Sequence, residues 1–255
     1  MGEQPYDRVV DLDRTNPAER RGSTVAHPAQ PWTPAVHAFL RHLEAEGFEA
    51  APRVVGSGFD DDGSEILSWI EGAVFAEEVW PDPERSLHDV GAMLRRLHEV
   101  SRGFVPPPDA RWMPWSLRSR SEEAVISHGN IAPWHVVFDN GRPAGIIGWE
   151  YSGPVDPIDE VAVTAWYCAQ LFDDDVAERI GLPPAAARAE WFRSFLDGYG
   201  LAHQARQDLV DRILRFVITD NGWYARLHGS TPAWQSRAAL WTLEHRDLLT
   251  KAAVR

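Results

Sequence analysis

The chain has 255 residues, 44% of them hydrophobic, with 12 Trp and 10 Phe, which is ample for one large domain or for two lobes around a cleft. A formal net charge of −13 argues against a nucleic-acid or anionic-membrane binder, since both need clustered Lys and Arg. A single cysteine excludes an intramolecular disulfide and a Cys-based zinc cluster.

From the N-terminus, Asp7–Asp13 reads as a short strand and Thr15–Gly22 as a charged loop. The first residues carry neither a basic start nor an apolar signal core, and no apolar run approaches the ~20 residues of a membrane span, so a cytoplasmic protein is expected. Thr33-Pro34 reads as a helix start, a capping hydroxyl followed by proline, with Val36, Phe39, Leu40 and Leu43 on one face and Gly47 as the stop. Pro52–Gly56 and Glu65–Ile70 predict a hairpin around the acidic turn Asp60-Asp61-Asp62-Gly63, which lacks the further ligands of a calcium loop. Leu87, Val90, Leu94, Leu97 and Val100 mark a long amphipathic helix over Glu84–Arg102. Phe104–Trp115, rich in Pro and Trp, reads as a surface loop. Cys168 falls in the apolar stretch Val161–Leu171 as an inert core residue. Three helical segments are expected at the end, roughly Pro184–Tyr199, Ala205–Asn221 and Pro232–Lys251.

Residues 125–161, VISHGNIAPWHVVFDNGRPAGIIGWEYSGPVDPIDEV, carry the chemistry. Val136–Phe138 and Ala144–Ile147, joined by Asp139-Asn140-Gly141-Arg142, are a hairpin signal with Asn-Gly in the turn. The loop before the first strand and the residues after the second then lie side by side at one end of the hairpin, as suits a site built from two loops.

This stretch resembles the core of the aminoglycoside/choline-type phosphotransferase family, whose pattern is H-G-D-x-x-P-x-N, a short hairpin, then I-D-W-[DE]. His128, Gly129, Pro133, Ile147, Trp149 and Glu150 match in type and spacing, and Asp156-Pro157-Ile158-Asp159 resembles the D-P-x-x-D that follows. Pro31–His37 with Phe39–Leu43 resembles the first helix of a compact bacterial subgroup, and Leu67–Gly72 its hinge strand. The resemblance implies an α+β, two-lobed protein-kinase-like fold. A small α/β N-terminal lobe over 1–72 would precede a mainly helical lobe over 73–255, with the hairpin embedded near 135–148.

Phosphoryl transfer in such a fold needs a carboxylate for the hydroxyl proton, oxygen ligands for Mg²⁺, a cation on the phosphates and a glycine-rich turn over them. Where the pattern has the proton-accepting Asp this chain has Asn130, whose amide holds a hydroxyl without taking its proton. His135 replaces the metal-binding Asn, and imidazole suits Mg²⁺ poorly. Gly148 replaces the metal-binding Asp. The one lysine, Lys251, lies at the far end of the chain, and Ala26 and His27 stand where an anchoring cation is expected. No glycine-rich turn is visible in the first 22 residues.

The expected function is therefore that of a phosphotransferase-like protein without ATP-dependent transfer, pseudokinase-like, set in the natural-product metabolism of a GC-rich bacterium. Its cleft would bind a small molecule, for which the acidic surface suits a cation, or would host a repurposed reaction at His128, Asn130, His135 and Glu150. No cofactor or metal is expected. The alternative is an active phosphotransferase using ATP and a displaced Mg²⁺ site, for which Glu150, two residues beyond Gly148, is the available carboxylate. His128 and Asp159 read as loop braces. His128, His135 and Glu150 have zinc-donor types without a recognised spacing. Trp112, Trp115, Trp134 and Trp149 read as packing residues, and Asp197, Asp211 and Asp220 as solvated helix faces that a cationic ligand could also meet.

Overall fold

Helix α1 (Thr33–Ala45) buries Phe39, Leu40 and Leu43 completely and ends where Gly47 adopts φ +70°, the left-handed conformation that closes many helices. In this computed structural model, which describes residues 18–228 and 233–255, Thr33 is the first helical residue rather than its cap. Its hydroxyl instead accepts the N–H of Gln30 at 3.0 Å. The strand expected over Asp7–Asp13 lies outside the described residues. Part of the expected charged loop is a strand: β1 (Glu19–Arg21) pairs antiparallel with β2 (Thr24–His27) across a turn in which Gly22 has φ +66°. Charged residues suit such an outermost strand, and here Arg20 lies over the Trp69 ring at 4.5 Å while Arg21 pairs with Asp60 at 2.9 Å.

Strands β3 (Val54–Phe59) and β4 (Glu65–Ser68) form the expected hairpin, and β4 also pairs with β2, giving an antiparallel sheet of order β1-β2-β4-β3. The acidic connection is a turn in which the Asp60 carboxylate accepts the N–H groups of Asp62 and Ser64 at 3.1 and 2.7 Å. Beyond the hinge segment, β5 (Ala73–Val74) pairs with β7 (Val136–Asp139), which pairs with β8 (Arg142–Ile146). Asn140 and Gly141 take φ +50° and +75°, as the Asn-Gly turn predicts. The short strands β6 (Val125–Ser127) and β9 (Gly153–Val155) also pair, with Ser127 opposite Gly153. Loop 128–135 and loop 147–152 are thus pinned together at both ends.

The rest is helical: α2 (Pro83–Ser101), α3 (Pro157–Cys168), α4 (Asp174–Ile180), α5 (Ala185–Tyr199), α6 (Leu209–His228), α7 (Ala233–Glu244) and α8 (Arg246–Val254). Two of these were not among the expected helices. Helix α3 is buried on every side from Glu160 to Cys168, so it shows no amphipathic stripe; burial also pushes the Cys168 thiol pKa up. Helix α4 is short and starts at Asp173, whose side chain accepts the N–H of Val176. The last expected segment splits at His245, whose ring bonds the Trp241 carbonyl at 2.9 Å, and residues 203–206 form a separate 3₁₀ turn ahead of α6. Among the described residues no helix is long and apolar enough to cross a membrane.

The most extensive helix contact, between α2 and α5, depends on two glycines. A methyl group at Gly91 would collide with the carbonyl oxygen of Phe195, and one at Gly198 with that of His88. Alanine is the better helix former by ~1 kcal/mol, yet Gly198→Ala is expected to destabilise the chain by about 2 kcal/mol, because the backbone contact must open. Urea denaturation measures this, and an unchanged or raised midpoint would refute the close packing.

Candidate active site and cavity

The two loops are held from beneath by α3. Glu160 is 1% exposed, and its Oε1 accepts the N–H of Gly129 at 2.6 Å while its Oε2 accepts from His98 Nε2 at 2.7 Å. His98 Nδ1 meets the Tyr199 hydroxyl at 2.9 Å. Burial acts to raise the Glu160 pKa, but the His98 and Gly129 hydrogen bonds outweigh it and leave the carboxyl below its ordinary value. The expected brace, Asp159, lies one residue short of this position; it pairs instead with Arg212 at 2.6 Å, and Asp156 caps α3 through the N–H groups of Ile158 and Asp159. A helix turns ~100° per residue, so the residue after Asp159 is the one that faces the loop.

A second clamp, absent from the sequence reading, is Arg118. Its Nη2 donates to the carbonyls of Tyr151 and Ser152 at 2.7 and 2.9 Å, and its Nε to that of Met113 at 3.0 Å. Burial lowers its pKa to about 10, against the pull of the Glu160 charge. A side chain at Gly153 would strike this guanidinium, and one at Gly129 (φ +80°) the Tyr151 carbonyl, so both loop glycines are required by close approach.

His128 is fully buried; its Nε2–H donates to the Ile147 carbonyl at 2.8 Å and its Nδ1 accepts the Asn130 N–H at 3.2 Å. With both nitrogens bonded to backbone it braces one loop against the other, as expected. Asn130 is 6% exposed, and its carbonyl accepts Nδ1–H of His135 at 2.7 Å. That bond turns the opposite edge of the His135 ring toward Gly148. A Cβ at Gly148 would stand 2.5 Å from His135 Nε2. The imidazole therefore occupies the space a side chain at position 148 would need, and Gly148, at φ +76°, leaves that space open.

His135, Gly148 and Glu150 line a cavity of about 500 Å³ roofed by the β2–β4 sheet and flanked by the hinge; His128 and Asn130 are not among its lining residues. In the roof, Ala26 is turned inward at 3% exposure, whereas His27 lines the cavity opposite its cross-strand neighbour Glu65. Burial lowers the His27 pKa although the Glu65 charge opposes it, which favours the uncharged ring. Among the described residues the lining includes no Lys or Arg, and no group of three or more His, Cys, Asp or Glu could hold a metal ion.

The family profile described as "Phosphotransferase enzyme family" matches residues 20–124 and 109–209, most of the chain. The chain belongs to this phosphotransferase family. A trifolitoxin immunity protein from Rhizobium leguminosarum bv. trifolii is 42% identical over 247 residues, spanning 91% of this chain and 93% of that protein. The fold is shared with a choline/ethanolamine kinase family protein from Mesorhizobium loti at 16% identity and a TM-score of 0.58, over 94% of this chain and 88% of that one. It is shared also with amicoumacin kinase hAmiN, solved with AMP-PNP, Ca²⁺ and Ami, at 12% identity and a TM-score of 0.62, over 92% and 88%. The expected α+β, two-lobed kinase-like fold is the one observed.

The four tryptophans at 112, 115, 134 and 149 are held by the protein's own packing and hydrogen bonds. Trp149 donates to the Ile146 carbonyl at 2.7 Å and Trp115 to the Gly129 carbonyl at 3.0 Å; Trp134 is buried and Trp112 packs on the core. Asp197 and Asp211 sit in ion pairs with Arg193, Arg206 and Arg246. Asp220, expected on a solvated face, is instead 4% exposed, bonded to Ser116 and Gln235, with its pKa raised by burial.

Two outcomes follow from this geometry. Gly148→Asp is expected to destabilise the chain by about 2–4 kcal/mol, through the left-handed backbone and the collision with His135. His135→Asn in the same chain should recover part of that loss, a coupling of about 1–3 kcal/mol in urea melts; strictly additive effects would refute the shared space. For Glu160, whose folded pKa is depressed, stabilisation is present above the ordinary carboxylate range and is lost as pH falls through it and below. Urea midpoints taken between pH 6 and pH 3 should therefore fall less steeply in Glu160→Gln, from a lower starting stability, than in the parent chain.

Proposed function

We propose that this chain is an immunity-type binding protein on the phosphotransferase fold, which captures a small toxic molecule in the 500 Å³ cavity without ATP-dependent phosphoryl transfer. The reading rests above all on His135 filling the space beside Gly148. ATP and Mg²⁺ fit this site poorly. A hard cation needs oxygen ligands in near-octahedral array, and the loop positions present an imidazole edge, a glycine and one carboxylate, Glu150. A triphosphate needs fixed positive charge, and the roof presents His27, whose charged form burial disfavours, beside Glu65. The loss of the proton-accepting carboxylate at Asn130 alone would remove a typical ~10²–10⁴-fold. The relative at 42% identity is named for immunity to trifolitoxin rather than for a transferase activity, which supports protection as the role.

Calorimetry with ATP and Mg²⁺ at millimolar nucleotide is expected to give no saturable heat, and thermal melts no shift. Mg²⁺-dependent saturable binding would overturn the proposal in favour of a displaced metal site at Glu150. In parallel, expression in a trifolitoxin-sensitive host should protect it while the purified chain releases no ADP from ATP in the presence of the toxin.

A further inference from the structure

We infer that the cavity selects a ring-bearing organic cation, a protonated amine on a flat apolar body, and that Glu65 in the β4 roof is its counter-charge. This rests on the reading that the cavity does not take a nucleotide. Its walls are apolar and aromatic, with Val25 and Leu67 above, Trp69 at the hinge and Val137 and Trp149 below, and its volume falls within the range of ligand pockets. Such walls favour a flat hydrocarbon body.

The sign of the charge follows from Glu65. Glu65 is 9% exposed yet lines the cavity, and its Oε1 bonds His37 Nε2 at 2.9 Å. A carboxylate set in an apolar wall is costly unless compensated. Beyond the His37 hydrogen bond at Oε1, no Lys or Arg among the described lining residues supplies the compensation, and burial disfavours the charged form of the cross-strand neighbour His27. An ammonium entering under β4 would complete the pairing of Glu65, whereas an anion would meet it unscreened. The site lies against the sheet and hinge, on the side where a kinase-like fold cradles a nucleotide, so the polarity of that side is reversed: a cation is accepted where a polyanion is ordinarily held.

Calorimetric titration of the full chain with 1-naphthylmethylamine, 1-naphthylmethanol and 1-naphthoate compares one ring system carrying a cation, no charge and an anion. The amine is expected to bind at least tenfold more tightly than the alcohol, and the naphthoate to give no saturable heat. Glu65→Gln should erase the preference for the amine while the alcohol still binds. Equal binding of amine and naphthoate, no binding of any of the three, or loss of the preference in Glu150→Gln rather than Glu65→Gln would each overturn the inference. Should Glu65→Gln fail to fold, the ranking of the three probes on the unmodified chain decides the question by itself. The ATP–Mg²⁺ titration is read separately. Nucleotide binding defeats the underlying reading whatever the ranking, and a flat ranking without nucleotide binding defeats only the choice of ligand charge.

Discussion

A carboxylate buried to 1% exposure is tolerable only if each of its oxygens is taken up, and Glu160 meets that condition by joining three parts of the chain. One oxygen receives His98 from α2, which is itself held by Tyr199 of α5, and the other receives the backbone N–H of Gly129. The loop is therefore fixed to the helical body through a charge that cannot leave its partners without a cost of about 3–5 kcal/mol. From Gly129 the constraint passes along the chain. The Asn130 N–H binds His128, the Asn130 carbonyl binds His135, and His128 reaches across to Ile147. Arg118 closes the same junction from the other side through Tyr151 and Ser152.

That lattice places the loops without reference to any reaction. Helices, hairpin and glycines that allow close approach are scaffold, and a scaffold holds whatever side chains the loop presents. What it presents here is an imidazole edge toward a glycine on the floor of the cavity, and a carboxylate with imidazoles in its roof. The potential inside such a cavity is governed by fixed charges at short range in a medium poorer than water. The acidic surface of the chain as a whole, net −13, adds to it in the same sense.

Much of the fold was legible because its signals are local. The turn at Asn140-Gly141, the stop at Gly47 and the stripe on α2 each depend on residues within one or two turns of one another. Helix α3 was not legible for the opposite reason: a helix buried all round has no periodic contrast to read. The site divides in the same way. His128 was readable as a brace from its motif. Arg118 lies ten residues before His128 with no motif of its own, and the loop carbonyls it holds, those of Tyr151 and Ser152, are more than thirty residues away. Glu160 in place of Asp159 turned on helical phase, which spacing alone leaves open by one residue. The packing of His135 against Gly148 joins two loops that are contiguous only through the β7–β8 hairpin, so sequence could name both residues as departures from a pattern but could not show that one fills the space of the other.

A carboxylate at position 148 would stand near Glu150 on the floor of a partly buried cavity, and two like charges so placed must lose one charge to a proton or share a cation between them. Removing the side chain solves the charge problem and creates a void, and a void beside a buried wall forfeits the contacts that its lining atoms would make. An imidazole from the facing loop restores those contacts. The hydrogen bond from Nδ1–H to the Asn130 carbonyl, at 2.7 Å, offsets part of its cost of burial. The two departures at 135 and 148 are thus one change in physical terms, an amide and a carboxylate exchanged for a packed ring and a glycine. Reversing either alone leaves a collision or a hole.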